Sequence, residues 1–108
     1  MKSHWTIVYT DAAKKDKDAL DPSARKQVYK ALRKVSLNPL PKSEGGYGSP
    51  LGNKQGSNLA GFLKIKLLRL GIRIVYKLHR EDNIMRIIVI AARADGEAYE
   101  IAAQRKDS

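Results

Sequence analysis

Near the start of the chain, Trp5, Ile7 and Tyr9 alternate with Thr6, Val8 and Thr10, and this β-branched and aromatic run predicts a first strand. Asp11 offers a helix N-cap. Residues 12–20 are helix-compatible, with Lys17 on the stripe that Ala13 and Leu20 would bury, where its stem can snorkel. Asp21 followed by Pro22 restarts a helix, because a capping carboxylate precedes a proline whose missing N–H costs nothing at the first helical position. That second helix is expected to reach about Leu37. Ala24, Val28, Leu32 and Val35 fall on one buried stripe, with Arg25, Lys26, Lys30, Arg33 and Lys34 mostly off it. The two helices are expected to pair as an antiparallel hairpin.

From Asn38 to Asn58 the hydrophobic period disappears into Pro, Gly, Ser and Asn, including Gly45, Gly46, Gly48, Gly52 and Gly56, which predicts a long loop. Such a loop is either a border of the substrate path or a tolerated surface insertion. Strand patterning then returns. Leu63, Ile65 and Leu67 alternate with Phe62, Lys64, Lys66 and Leu68, and after a turn at Leu70–Gly71, Ile72, Ile74, Tyr76 and Leu78 alternate with Arg73, Val75, Lys77 and His79. Glu81, Asp82 and Asn83 turn the chain into residues 84–92, apolar on nearly both faces as in a central strand. Residues 97–105 read as a short closing helix with Ile101 and Ala102 inward. The expected fold class is α+β: a mainly antiparallel four-stranded sheet, the helical hairpin on one face, a short C-terminal helix, and a basic concave face left open.

With 108 residues, the chain has the size of one domain, spanning 1–108. Its 21 Lys and Arg against 11 Asp and Glu give a net charge of +10, and residues 62–80 hold six basic side chains without an acid. That imbalance points to a polyanion, RNA or DNA, with a merely solvated basic surface as the alternative. No apolar run approaches the roughly 20 residues that span a bilayer, so no membrane partner is expected. The first twenty residues hold no apolar stretch of the kind a secretory signal needs. Cys is absent, which removes disulfides and thiolate chemistry and fits a reducing, cytoplasmic setting.

Alternation also locates candidate chemistry. Lys64 and Lys66 project from one face of their strand, and if the next strand pairs with its apolar face on the same side, Arg73 joins them. Arg93, at the end of the apolar central strand, adds a fourth cation, and Tyr99 an aromatic ring suited to a stacked base. Arg69 and Lys77, in the same basic stretch, join Lys64, Lys66 and Arg93 as candidate RNA contacts. Cations placed together imply an absent anion, most simply phosphate. No Gly-rich phosphate loop or paired-His metal motif competes, and Asp95, Glu97 and Glu100 form no obvious magnesium site, so neither metal nor cofactor is expected. His79 reads as a strand-end polar residue that could assist, and His4 as incidental. RNA carries its own nucleophile, the ribose 2′-hydroxyl. A lysine with neighbouring cations is suited to take its proton, and arginine to clamp the phosphate.

The ordered set Phe62-Leu63-Lys64-Ile65-Lys66-Leu67, Gly71-Ile72-Arg73-Ile74-Val75-Tyr76, Arg93 and Tyr99 resembles RelE-type toxins of the RelE/ParE superfamily over nearly the whole chain. The resemblance implies the toxin of a type II toxin–antitoxin pair, an endoribonuclease that cuts messenger RNA in the ribosomal A site. It also implies a cognate antitoxin, with operator DNA reached only through the antitoxin complex. Lys64 and Lys66 then match catalytic lysines, one a general base and both on phosphate, and Arg73 the residue stabilising the transition state. Arg93 matches the arginine of leaving-group protonation or phosphate contact, and Tyr99 the tyrosine that orients or stacks on the nucleotide. The chain departs from the pattern in its longer Gly-rich loop at 42–57 and in Ala91-Ala92, where a glycine-containing lead-in is expected. A ParE-like gyrase inhibitor without nuclease activity is the rival reading, and a non-catalytic RNA-binding module a third.

Overall fold

The computed structural model describes residues 4–54, 57–92 and 95–105, and for 52–54, 57–60 and 95–96 the backbone alone. Strand β1 (Thr6–Tyr9) leads into helices α1 (Asp11–Asp18) and α2 (Pro22–Val35). Strands β2 (Ser49–Lys54), β3 (Ser57–Leu67), β4 (Ile72–His79) and β5 (Ile84–Ala91) follow, and helix α3 (Asp95–Arg105) comes last. The strands form one sheet in the order β1-β5-β4-β3-β2, with β1 parallel to β5 and every other pair antiparallel.

The sheet therefore has five strands where four were expected. The additional one, β2, lies inside the stretch read as loop. Its residues include Pro50 and Gly52, which argue against a central strand, but β2 is an edge strand with a register shift between those two residues. An edge tolerates both the missing N–H and the bulge. Leu51, almost wholly buried, anchors the strand in the core.

Helix α1 is capped by Thr10 rather than Asp11: the Thr10 hydroxyl accepts from the Ala13 N–H at 3.0 Å. Asp11 instead places its charge in the first turn, where the helix dipole favours it. Asp21 caps α2 as expected, accepting from the Ala24 N–H at 2.7 Å. Val28, Leu32 and Val35 are buried and Ala24 packs beside them, so the predicted stripe is the observed one. The helix ends at Val35, and Leu37 is exposed.

Two cores lie on opposite faces of the sheet. Under α1 and α2, Ala13, Val28 and Leu32 meet Leu63, Ile74, Tyr76, Met85 and Ile87. On the other face Leu51, Phe62, Val75, Ile88 and Val89 meet Tyr99 and Ala102 of α3. Val75 pairs with Val89 and Tyr76 with Ile87, so Ile88 is an extra residue, and this bulge turns both Ile88 and Val89 to the α3 side. The second face is thus partly covered by α3 rather than left open. Within α3, Ala98, Tyr99 and Ala102 are buried, and Ile101, expected inward, is only partly so.

Candidate phosphate-binding cleft

The β3–β4 register sets the charges. Lys66 lies directly opposite Arg73, and Lys64, two residues along β3 on the same face, lies opposite Val75. Directly opposed side chains in an antiparallel pair stand about 5 Å apart at Cβ, and like charges there are destabilising. The Arg73 Nη1 donates to the Gly71 carbonyl at 3.0 Å, a bond between the strand and the turn before it. Gly71 has φ +65°, a left-handed conformation that favours glycine at that turn.

Lys64 Nζ donates to the Tyr99 hydroxyl, joining β3 to α3 across the face. Tyr99 is 6% exposed, its ring packs in the second core, and the Lys64 ammonium that reaches its hydroxyl also lies 5.0 Å from its ring centroid. Arg73 also lies opposite Ala91, the last residue of β5. Arg93 lies outside the described residues.

Other candidates stand apart. Arg69 is exposed in the β3–β4 turn and, with Lys66, Leu67, Leu68 and Leu70, borders a groove of about 490 Å³ against Ser23 and Gln27 of α2. Lys77 lies opposite Phe62, its ammonium 5.4 Å from the ring centroid, toward the far end of β4. Four residues of strand, roughly 13 Å, separate it from Arg73. His79 is farther still, opposite Ile84 at the end of β4.

The sequence did not single out Lys42, Tyr47 and Ser49. They line a cavity of about 260 Å³ together with Lys64, Ile65, Lys66 and Leu68. The cavity forms where β2 begins: Ser49 pairs with Lys64, and β3 continues beyond it to Leu67. The loop before β2 is closed by hydrogen bonds, Tyr47 N–H to the Asn38 carbonyl and Gly48 N–H to the Leu40 carbonyl, both 3.0 Å, and Lys42 N–H to the Gly48 carbonyl, 2.8 Å. The buried Tyr76 hydroxyl donates to the Pro39 carbonyl at 2.7 Å, and burial pushes that hydroxyl well above its ordinary pKa. Arg80 clamps Glu44 through two bonds of 2.8 and 2.7 Å, and those bonds hold the Glu44 carboxyl below its ordinary value. An aromatic in a Gly-rich loop was the one available signal for Tyr47.

No protein-family model matches the chain, and no curated protein matches its sequence. Solved structures do match. The RelBE2 toxin–antitoxin complex from Mycobacterium tuberculosis is similar at 25% identity and TM-score 0.68, over 88% of this chain and 98% of that one. The isolated E. coli RelE toxin matches at 24% identity and TM-score 0.67, over 94% and 98%. A doubly substituted E. coli RelE in the free state matches at 22% identity and TM-score 0.71, over 95% and 98%. The chain has the RelE-type toxin fold.

Proposed function

We propose that this chain is a one-domain toxin of a type II toxin–antitoxin pair that cleaves messenger RNA on the ribosome, in the cytoplasm, without a metal. The single observation that carries the reading is the opposition of Lys66 and Arg73 in register, with Lys64 beside them on the same face. Cations held in register on one face of a hairpin can donate together to the oxygens of one phosphate, and charge-assisted bonds of that kind are among the stronger hydrogen bonds.

In the proposed reaction a lysine, Lys64 or Lys66, takes the proton of the ribose 2′-hydroxyl. The 2′ oxygen bonds to phosphorus, the bond from phosphorus to the 5′ oxygen breaks, and that oxygen leaves with a proton donated by a cationic side chain of the cleft acting as general acid. The products are a 2′,3′-cyclic phosphate and a 5′-hydroxyl. Arg73 neutralises charge growing on the phosphoryl oxygens. Arg93 is assigned to the leaving group or the phosphate by resemblance alone. Tyr99, through its hydroxyl, positions Lys64. The similarity to the RelBE2 complex supports a cognate antitoxin as partner, and contact with operator DNA only through that complex is assigned by resemblance alone.

Primer extension on a translated message tests the site. Lys66→Ala and Arg73→Ala should each lower cleavage by about 10²–10³-fold, the usual loss for a proton-transfer or charge-stabilising group. Cleavage equal to wild type in both variants would remove the assigned site. Inhibited gyrase supercoiling with intact messages would replace the nuclease reading with the gyrase-inhibitor one.

A further inference from the structure

Tyr47 is the exposed aromatic of the cleft. It is 45% exposed, whereas Tyr99 is 6% exposed, and its residue lines the cavity that holds Lys64 and Lys66. The Lys34 ammonium lies 5.5 Å from its ring centroid, within reach of a cation–π contact that fixes the ring from the α2 side.

The backbone beneath it is tightly constrained. A Cβ at Gly46 would come within 2.0 Å of the Leu40 carbonyl oxygen, and one at Gly48 within 2.3 Å of the Tyr76 hydroxyl. Both neighbours of Tyr47 therefore touch fixed backbone or a buried side chain. The backbone bonds that close the loop hold the half-exposed Tyr47 ring at the edge of the cavity. Ser49, two residues on, pairs with Lys64, which ties the ring's position to the cationic cluster.

We propose that Tyr47 and the adjoining cavity form a nucleobase subsite, in which the base of a nucleotide whose phosphate lies at Lys64 and Lys66 stacks on the Tyr47 ring. This rests on the RNA-cleaving reading above and names what that site recognises beyond phosphate. Stacking on an aromatic is sequence-tolerant and suits an unpaired strand. The charges of Lys42 and Lys34 beside the ring favour an anionic strand over a peptide.

The test uses short RNA with 2′-O-methyl riboses, which cannot be cut, carrying 2-aminopurine at successive positions. Binding and fluorescence are followed for wild type, Tyr47→Ala, Tyr47→Phe and Tyr47→Trp, each also against RNA made abasic at the quenched position. At one position, wild type should quench 2-aminopurine. Tyr47→Ala should bind about five- to a hundredfold more weakly without quenching, and Phe and Trp should retain both. On abasic RNA the variants should bind alike. Equal loss by Tyr47→Ala on abasic and intact RNA would assign the residue a structural role and overturn the subsite. Wild-type affinity in Tyr47→Ala, alongside weakened binding by Lys66→Ala, would overturn the subsite and leave the phosphate cleft standing. No RNA binding by wild type would overturn the subsite, and primer extension on a translated message decides separately whether the cleavage reading stands.

Discussion

At the scale of single residues, Gly48 and Tyr76 decide whether the loop before β2 closes. Gly48 leaves no room for a side chain beside the Tyr76 hydroxyl, and that hydroxyl supplies the donor for the Pro39 carbonyl. Tyr76→Phe leaves that carbonyl unsatisfied and should cost about 1–3 kcal/mol by denaturant titration. Gly48→Ala should also destabilise, but less in the Tyr76→Phe background, because the nearest clashing atom is then gone. Additive losses would show that Leu63 and the Pro39 carbonyl, at 3.1 and 3.2 Å, decide the cost instead. Tyr76 also gives the fold an alkaline limit. Its hydroxyl titrates higher in the folded state than the ordinary value of 10.0, so its contribution is complete below that value and is lost as pH rises above it. Tyr76→Phe should therefore flatten the fall of melting temperature above about pH 10, and an unchanged slope would assign the fall to other groups.

At the scale of elements, β5 outlasts β1. Pairing between them ends at Tyr9 and Ile87, and the next groups on that edge are met by side chains: the Ile88 carbonyl accepts from Arg105 Nη1 at 3.0 Å, and the Ile90 N–H donates to Asp16 Oδ2 at 3.0 Å. Arg105 Nη1 and Asp16 Oδ2 are themselves 2.7 Å apart and partly buried, so α1, β5 and α3 meet in one clasp. Arg105→Ala should destabilise by about 1–3 kcal/mol and reduce amide protection in α3 more than in α2. Uniform loss of protection would show that α3 is not a separate unit. The clasp joins residues 89 apart, and nothing local in the sequence announces it. The hairpin of β3 and β4 was legible because alternation is local: once the strands pair, Lys64, Lys66 and Arg73 must share a face. Strand β2 was not, since Ser-Pro-Leu-Gly-Asn-Lys has no strand pattern and becomes a strand by pairing with the edge of β3. Tyr47 and Lys42 were hidden for the same reason, as their positions follow from loop closure.

At the scale of the whole molecule, a charge of +10 attracts any polyanion, and composition cannot separate attraction from seating. Lys26, Lys30 and Arg33 line a shallow exposed groove on α2, on the helix-covered side of the sheet, away from the face of Lys64, Lys66 and Arg73. The smallest principal extent of the molecule is 25 Å. That is about three Debye lengths at physiological ionic strength, so charge on one face is screened from a strand lying on the other. Salt dependence tells the faces apart, because each phosphate neutralised on a single strand steepens the fall of log affinity against log salt by about 0.7. Contact with Lys64, Lys66 and Arg73 predicts a slope of roughly −2 on uncleavable RNA. Lys66→Ala should bring it closer to zero by about 0.7, and Lys30→Ala should leave it unchanged. The reverse pattern would move the RNA to the α2 face, and equal small effects from both would mean that the charge acts only as a diffuse field.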